Sequence, residues 1–415
     1  MILLTGSTGF LGRELAARLL RRHPAARLCL LIRENSEHSA PFRARQTFEE
    51  IFGSGESERY CERIEVLPGD VTEDCFGLSQ AAFNALAGRI SSIYHCAATT
   101  TLNHDIQTAR RVNVAGTFQV LKLAEKCSML RVHPDFRLFY ISTAYVAGAR
   151  KGIVHTDELD TSGPFRNAYE RSKAEAEAMV RSMQNHVPVC IFRPSVIVGD
   201  SITGQTSAFN VIYVPAKLLI KGFFSCFPAI PHTPFDIVPV DYVADAIVHL
   251  SALSPASGAC YHISAGVGRE STPWEIIEHL FSTFNKYRRR ERLLLAVPPL
   301  VPPEILALAH SSYEAAKSSM KTLERIVCDR INVFRQTLPF IPYMIGNPQF
   351  DNSATLCAAG RFLPLPPMFQ TYAERLFKYC LDTNWGKLPW TNPSDFPLWR
   401  NRVDPFALIT DSPAL

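Results

Sequence analysis

Six short apolar runs, separated by longer stretches of which several have helical periodicity, leave the first half of this 415-residue chain few ways to fold. Met1–Thr5, Arg27–Arg33, Arg63–Pro68, Ser91–Cys96, Arg137–Ser142 and Pro188–Arg193 are each rich in Val, Ile, Leu and aromatics, as buried strands are. Between them Leu11–Arg22, Asp105–Cys127 and Ala168–Gln184 repeat their apolar residues at helical spacing. Strands alternating with helices in this way predict an α/β fold, a parallel sheet with helices on both faces. Only five of the 29 prolines precede residue 188, so the regular half ends near Gly199. Asp236–Pro239, Val240–Leu253 and Ala259–Ser264 then read as strand, helix and strand, a return to the sheet. The remainder is helical in pieces, with proline-rich joints at Val297–Pro303 and Phe362–Pro367. The expected division is therefore residues 1–200 with a return segment 236–266, and a second, smaller domain from 201–235 and 267–415. The last dozen residues are expected to be disordered.

The first strand runs into Gly6, Ser7, Thr8, Gly9, Phe10, Leu11 and Gly12, and a helix begins at once. Glycines at three-residue spacing permit a tight turn, close approach of a pyrophosphate and close packing of helix on strand. The helix N-terminus adds N–H groups and the positive end of its dipole. This junction predicts a bound dinucleotide. Strand two ends in Arg33, where NAD sites usually carry Asp or Glu, and a guanidinium there suits a 2′-phosphate. Arg43 or Arg45 supplies a second cation, so NADPH is the expected cofactor, although Glu34 beside Arg33 offers an acceptor for an unphosphorylated ribose. After strand three, Asp70 and Val71 are placed at the adenine. After strand four, the small residues Ala97, Ala98 and Thr99 let the backbone pass close to the cofactor. His95 is read as a packed core histidine.

Tyr169 and Lys173 stand four apart on a helical stretch and therefore share one face. An ammonium beside a phenol stabilises the phenolate, so the spacing predicts a tyrosine pKa drawn toward working pH. Strand five ends in Ser142 and Thr143, whose hydroxyls can polarise a carbonyl oxygen beside the tyrosine. Parallel sheets bind ligands at the carboxyl ends of their strands, where both the glycine turn and Thr143 should lie.

The glycine turn, Thr143, the Y-x-x-x-K of Tyr169 and Lys173, and Arg193-Pro194-Ser195-Val196-Ile197-Val198-Gly199 together resemble an extended short-chain dehydrogenase/reductase over about residues 1–265. Tyr140–Gly148, Asn167–Glu175 and Arg193–Gly204 are similar to thioester reductase domains and fatty acyl-CoA reductases, the male-sterility NAD-binding group. In sugar-nucleotide relatives the strand-five motif more usually ends in Val-Tyr-Gly; here it is Val146-Ala147-Gly148. The resemblance implies a Rossmann-like doubly wound parallel sheet with a smaller, mainly helical C-terminal substrate-binding domain. It implies Thr143, Tyr169 and Lys173 as catalytic triad, Asn113 as a support of the active site, and Pro194, Ser195 and Val196 beside the nicotinamide. It further implies reduction of an acyl thioester, carried by coenzyme A or by the phosphopantetheine of a carrier protein, to an aldehyde, with a second reduction to the alcohol left open. Polyketide and nonribosomal peptide biosynthesis use such reductases.

Beyond residue 267 the resemblance thins. Multi-domain thioester reductases carry adenylation and carrier domains upstream, so the chain is expected either to act on a separate partner or to be the terminal domain of a longer protein. The basic run Arg288–Arg292 suits an acidic carrier helix or the phosphates of coenzyme A, and equally a solvated helix face. The apolar stretch Phe209–Ile230, with Tyr213, Phe223, Phe224 and Phe227, suits an acyl channel or simple core packing. Lys217 and Lys221 interrupt it, and no segment offers the ~20 apolar residues of a membrane span. A net charge of +4 is too small to argue for nucleic acid. Eleven scattered cysteines without C-x-x-C argue against a metal site and for reduced thiols in the cytoplasm. The start, Met1 to Gly6, lacks the basic region of a signal peptide. Two rivals remain: an extended reductase or epimerase acting on a nucleotide sugar or small carbonyl substrate, and a non-catalytic dinucleotide-binding protein. Oligomeric state is open.

Overall fold

The computed structural model describes residues 1–53, 58–222, 226–287, 295–302 and 337–387. Its centre is a seven-stranded sheet of β1 (Ile2–Thr5), β2 (Leu28–Ile32), β3 (Ile64–Pro68), β4 (Ser92–His95), β5 (Arg137–Ile141), β6 (Val189–Pro194) and β7 (Ala259–Ile263). The spatial order is β7-β6-β5-β4-β1-β2-β3 and every pairing is parallel. The order reverses between β1 and β4, which opens a crevice at their carboxyl ends. All six expected strands of the first half form, and the return segment supplies β7. Asp236–Pro239 departs from the expectation: its strand, Ile237–Pro239, pairs with Val196–Val198 in a separate two-stranded ribbon.

Alternation along each strand builds two cores. Ile2, Leu4, Leu28, Leu30, Ile32, Phe139 and Phe192 face α1 (Phe10–Arg22), α2 (Ala40–Phe52) and α6 (Val240–Ala252). Leu3, Cys29, Leu31, Leu138, Tyr140 and Ile191 face α3 (Gln80–Ala87), α4 (Gly116–Leu130) and α5 (Ala168–Ser182). Burying one such aliphatic side chain contributes about 1.5–3 kcal/mol, so a sheet covered on both faces is the stable solution for runs this apolar. The helix expected over Asp105–Cys127 is interrupted. Ile106–Arg110 leads into a π-helical turn, Arg111–Ala115, before α4 begins.

A third core gathers Tyr145, Val196, Val198, Tyr213, Phe227 and Phe235 with Ile276, Leu280 and Phe281 of α7 (Pro273–Tyr287). Tyr343, Phe350 and Phe369 join it, with Leu376 and Phe377 of α8 (Ala373–Asp382). The C-terminal segment also returns to the sheet: Ala359 and Leu363 pack in the α1 and α6 core, and Thr355 Oγ1 donates to His262 O at 2.6 Å. Arg288–Arg292, Phe223, Phe224 and the last dozen residues lie outside the described residues. No helix among the described residues is long and apolar enough to cross a membrane.

Candidate active site

Glycines make the first junction possible. Gly6 adopts φ +72°, and a Cβ there would stand 2.6 Å from Ala97 N; one on Gly12 would stand 2.0 Å from Gly6 O. The turn is closed by Gly9 N–H donating to Gly6 O at 2.9 Å, and no side chain caps the start of α1. Ser7 Oγ is buried there without a hydrogen-bond partner. An orphaned hydroxyl beside an uncapped helix N-terminus fits an anion such as a pyrophosphate.

At the outer edge, Arg43 donates to Arg33 O and, at 3.3 Å, to Thr8 Oγ1, tying the end of β2 to the glycine turn. The exposed Arg33 guanidinium lies 3.5 Å from Asp70. Asp70 in turn accepts from Thr72 N–H at 2.9 Å, which shapes the loop at Val71. Glu34 accepts from Ala40 N–H at 3.3 Å, at the start of α2. Ala97 N–H donates to Thr5 Oγ1 at 3.1 Å, holding the Ala97–Thr99 segment against β1. Thr5 also bonds His95 Nδ1 at 2.7 Å, and Thr117 meets its Nε2 at 3.0 Å. Burial, aided by Lys173, lowers the His95 pKa to about 3, so this ring is a neutral core group.

Asn113 sits in the π-helical turn, almost fully buried. Its Oδ1 accepts from Thr99 N–H at 2.8 Å, and its Nδ2 donates to Thr99 O at 3.1 Å and Ser172 Oγ at 2.9 Å. One amide thereby fixes the cofactor-side loop to α5. Widened helical turns of this kind are frequent at functional sites.

Thr143 follows β5, and its buried hydroxyl accepts from Tyr145 N–H at 3.2 Å and reaches Pro194 O at 3.4 Å. Tyr169 lies in the first turn of α5 beside Thr143. Burial pushes its phenol up to about 12, and the hydrogen bond to Thr143 offsets part of the rise. Lys173 is buried, and desolvation lowers its pKa to about 8. Its Nζ donates to Ile141 O at 2.7 Å and lies 4.4 Å from the Tyr140 ring centroid. The expected lowering of the tyrosine pKa by the lysine is thus not what the geometry produces. The ammonium is engaged by a backbone carbonyl and an aromatic face, and desolvation dominates the phenol. Ser195, buried, donates its backbone N–H to Ile263 O at 3.1 Å; Val196 N–H donates to Asp236 O at 3.3 Å. These bonds carry the chain from Pro194 out of the sheet at the same end.

Two buried acids have no place in the sequence reading. Glu177 accepts from Arg193 (Nη2 at 2.7 Å), Ser142 Oγ at 2.6 Å and Arg181 Nε at 2.9 Å. Arg193, fully buried, also donates to Glu158 O at 2.9 Å, so it is a tie between β6 and α5. Glu170, fully buried, accepts from Arg166 and Tyr343. The pattern Asn167-x-x-Glu170 is a helix-start signature that the sequence carries. For Glu177 only the i,i+4 pair with Arg181 is a local signal; its tie to Arg193, sixteen residues away on another element, is not. Tyr213 and Phe227 are core residues; Tyr213 Oη accepts from Gly199 N–H at 2.9 Å.

A parallel sheet with a glycine turn, a strand-end threonine and a Tyr–Lys helix at its carboxyl edge defines a Rossmann-like oxidoreductase of the extended short-chain dehydrogenase type. The family model described as male sterility protein matches residues 4–247, and the chain belongs to this family. It is similar to a nonribosomal peptide synthetase of Aspergillus flavus, 27% identical over 293 residues, covering 67% of this chain and 28% of that one. It is also similar to fatty acyl-CoA reductase 1 of Gallus gallus, 29% identical over 326 residues, covering 69% and 61%. Among solved structures, the terminal R domain of the myxalamid PKS-NRPS biosynthetic pathway superposes with a TM-score of 0.74 at 27% identity, over 94% of this chain and 91% of that one. The chain therefore spans about a quarter of the synthetase's length and nearly all of the isolated domain's.

Proposed function

We propose that this protein reduces an acyl thioester, bound to a carrier protein or to coenzyme A, with NADPH. The observation that supports the reading is Tyr169 beside Thr143, with Lys173 one turn further along the same helix, at the carboxyl ends of strands that also carry the glycine turn. The thioester part rests on similarity to the synthetase, the fatty acyl-CoA reductase and the R domain.

The backbone of Gly6–Gly12 and the Ser7 hydroxyl would hold the pyrophosphate, with Asp70 and Val71 toward the adenine. Ala97–Thr99, Asn113, Lys173 and Pro194–Val196 would flank the ribose and nicotinamide. Arg33 and Arg43 favour a 2′-phosphate, whereas Glu34, which accepts from Ala40 N–H through one oxygen, keeps acceptor capacity for an unphosphorylated ribose. A bound reduced nicotinamide supplies the hydride. Tyr169, protonated at neutral pH, donates its proton to the oxygen of the thioester carbonyl as negative charge develops there, with the Thr143 hydroxyl as second donor. The resulting hemithioacetal expels the thiol and leaves an aldehyde. Residues 1–200 and 236–266 would bind the cofactor, and residues 201–235 and 267–415 the acyl group.

The test is NADPH oxidation, followed by nicotinamide absorbance, with acyl-CoA and acyl-pantetheine substrates across a range of chain lengths, the products identified by mass spectrometry. Thioester-dependent oxidation with release of free thiol is expected, and none across the range would refute the assignment. Tyr169→Phe should abolish turnover and leave NADPH affinity within about tenfold, since at most one hydrogen bond of the cofactor site is altered. A variant that keeps its turnover would show that Tyr169 is not the proton donor.

A further inference from the structure

The first turn of α5 is held from two sides. Asn167 is its N-cap, with Oδ1 accepting from Glu170 N–H at 3.0 Å. Glu170 reaches back to accept from Arg166 N–H at 3.0 Å, a variant of the reciprocal capping box shifted one residue outward. Tyr169 lies inside this box, so the box fixes the backbone from which its side chain projects.

The box is completed by a residue distant in sequence. Tyr343, in the Ile341–Ile345 helix, donates to Glu170 Oε1 at 2.7 Å and accepts from Asn167 Nδ2 at 2.8 Å. Arg166 adds a second tie. Its guanidinium donates to Glu170 Oε1 at 3.2 Å, to Gly148 O at 2.7 Å and to Gly346 O at 2.9 Å, and lies 5.2 Å from the Tyr343 ring centroid. Gly148 ends the short turn that begins at Thr143. One cation and one phenol thus join the loop carrying Thr143, the turn carrying Tyr169 and the segment around residues 341–346.

These contacts are costly to bury and unnecessary for capping alone, since Asn167 and Glu170 already satisfy the helix start. Glu170 is fully buried and Arg166 nearly so. A desolvated ion pair adds little net stability over well-packed apolar residues, so stability alone does not account for Arg166 and Glu170 here. We infer that Tyr343 and Arg166 are positioning residues, which set Tyr169 against Thr143 and make the proton-donating pair complete only when the C-terminal segment is docked. The inference rests on the function proposed above for its catalytic meaning, but its structural content can be measured separately.

Tyr343→Phe keeps the ring against Arg166 and removes only the hydroxyl between Asn167 and Glu170. In the full chain, hydrogen exchange followed by mass spectrometry should show the amides of residues 168–173 exchanging about tenfold faster, as for loss of one hydrogen bond to a charged group, with the β1–α1 segment unchanged. In the thioester assay, well below the melting temperature of each protein, kcat should fall about tenfold while KM for the thioester and Kd for NADPH stay within about twofold. A change in melting temperature alone, with unchanged exchange in 168–173 and unchanged kcat, would overturn the inference and leave the proposed function standing. If the wild-type protein shows no thioester reduction, the functional reading fails and the exchange measurement alone decides the positioning role. Arg166→Lys, which retains the charge but not the three-way fork, should reproduce the loss of kcat; full activity in that variant would also overturn the inference.

Discussion

Replacing Arg193 by methionine removes one member of a fully buried ion pair while filling most of its volume. Glu177 would lose its Arg193 bonds but keep Ser142 at 2.6 Å and Arg181 at 2.9 Å, so the buried carboxylate is not wholly abandoned. Breaking a buried pair by removing one partner costs about 3–5 kcal/mol, and the two surviving donors place Arg193→Met near the low end, about 3 kcal/mol. On the scale of a 150–250-residue domain that is a fall in melting temperature of roughly 6–12 °C. The loss should depend on pH. Burial alone would raise the Glu177 pKa, but the Arg193 charge and hydrogen bond, with Arg181 and Ser142, hold it below its ordinary 4.5. A depressed carboxylate pKa contributes stability that is fully present above pH 4.5 and lost as pH falls through the folded value. The gap between wild type and Arg193→Met should therefore be widest near neutrality and narrow below about pH 4.5, as measured by thermal melts followed by circular dichroism. A gap that is small at neutral pH, or constant down to the acid limit, would refute the assignment of Arg193 as an electrostatic tie between β6 and α5.

Lys173 and the arginine pair supply the remaining predictions. Because desolvation lowers the Lys173 pKa to about 8, its charge is lost as pH rises through that value in the free protein. NADPH affinity, measured by nicotinamide fluorescence, should weaken above about pH 8 in the wild type and show no such limb in Lys173→Met. At the edge of the cofactor site, Arg43→Ala combined with Arg33→Ala should weaken NADPH binding at least about tenfold, as expected for loss of charge-assisted bonds to a phosphate, while NADH affinity changes little. Equal losses for both cofactors would point away from a 2′-phosphate site.

The parts legible in the sequence are those whose cause is local. Strand runs such as Leu28–Ile32 are apolar because both faces are covered, and the glycine turn must be glycine because Gly6 and Gly12 have no room for a Cβ. Tyr169 and Lys173 share a helix face by spacing alone. What was hidden depends on partners brought together by folding. Tyr343 is one tyrosine among 13, with no motif around it, and only the packing of 341–346 against α5 reveals its link to Glu170. The break in the Asp105–Cys127 helix is equally nonlocal: the π-helical turn holds Asn113 where one amide can meet both Thr99 and Ser172. Ile237–Pro239 leaves the main sheet although its composition is that of a strand, because Val196–Val198 has already turned away from β6 and pairs with it there.

The opposite shifts of Tyr169 and Lys173 follow from one cause and bear on the chemistry. Burial disfavours charge, so it raises the phenol to about 12 and lowers the ammonium to about 8. A donor at that height is fully loaded with its proton at neutral pH, which suits protonation of a developing oxyanion better than a half-ionised phenol would. It is also slow to release that proton, and something must lower the barrier in the transition state. Lys173 is placed to change that balance without having been in contact with Tyr169 beforehand. An ammonium has three donors, and Ile141 O takes one at 2.7 Å, so a ribose can engage another while the charge stays beside the tyrosine's helix. On the function proposed above, the lysine's effect on Tyr169 would arise with cofactor binding, and proton donation would be coupled to the presence of the reductant.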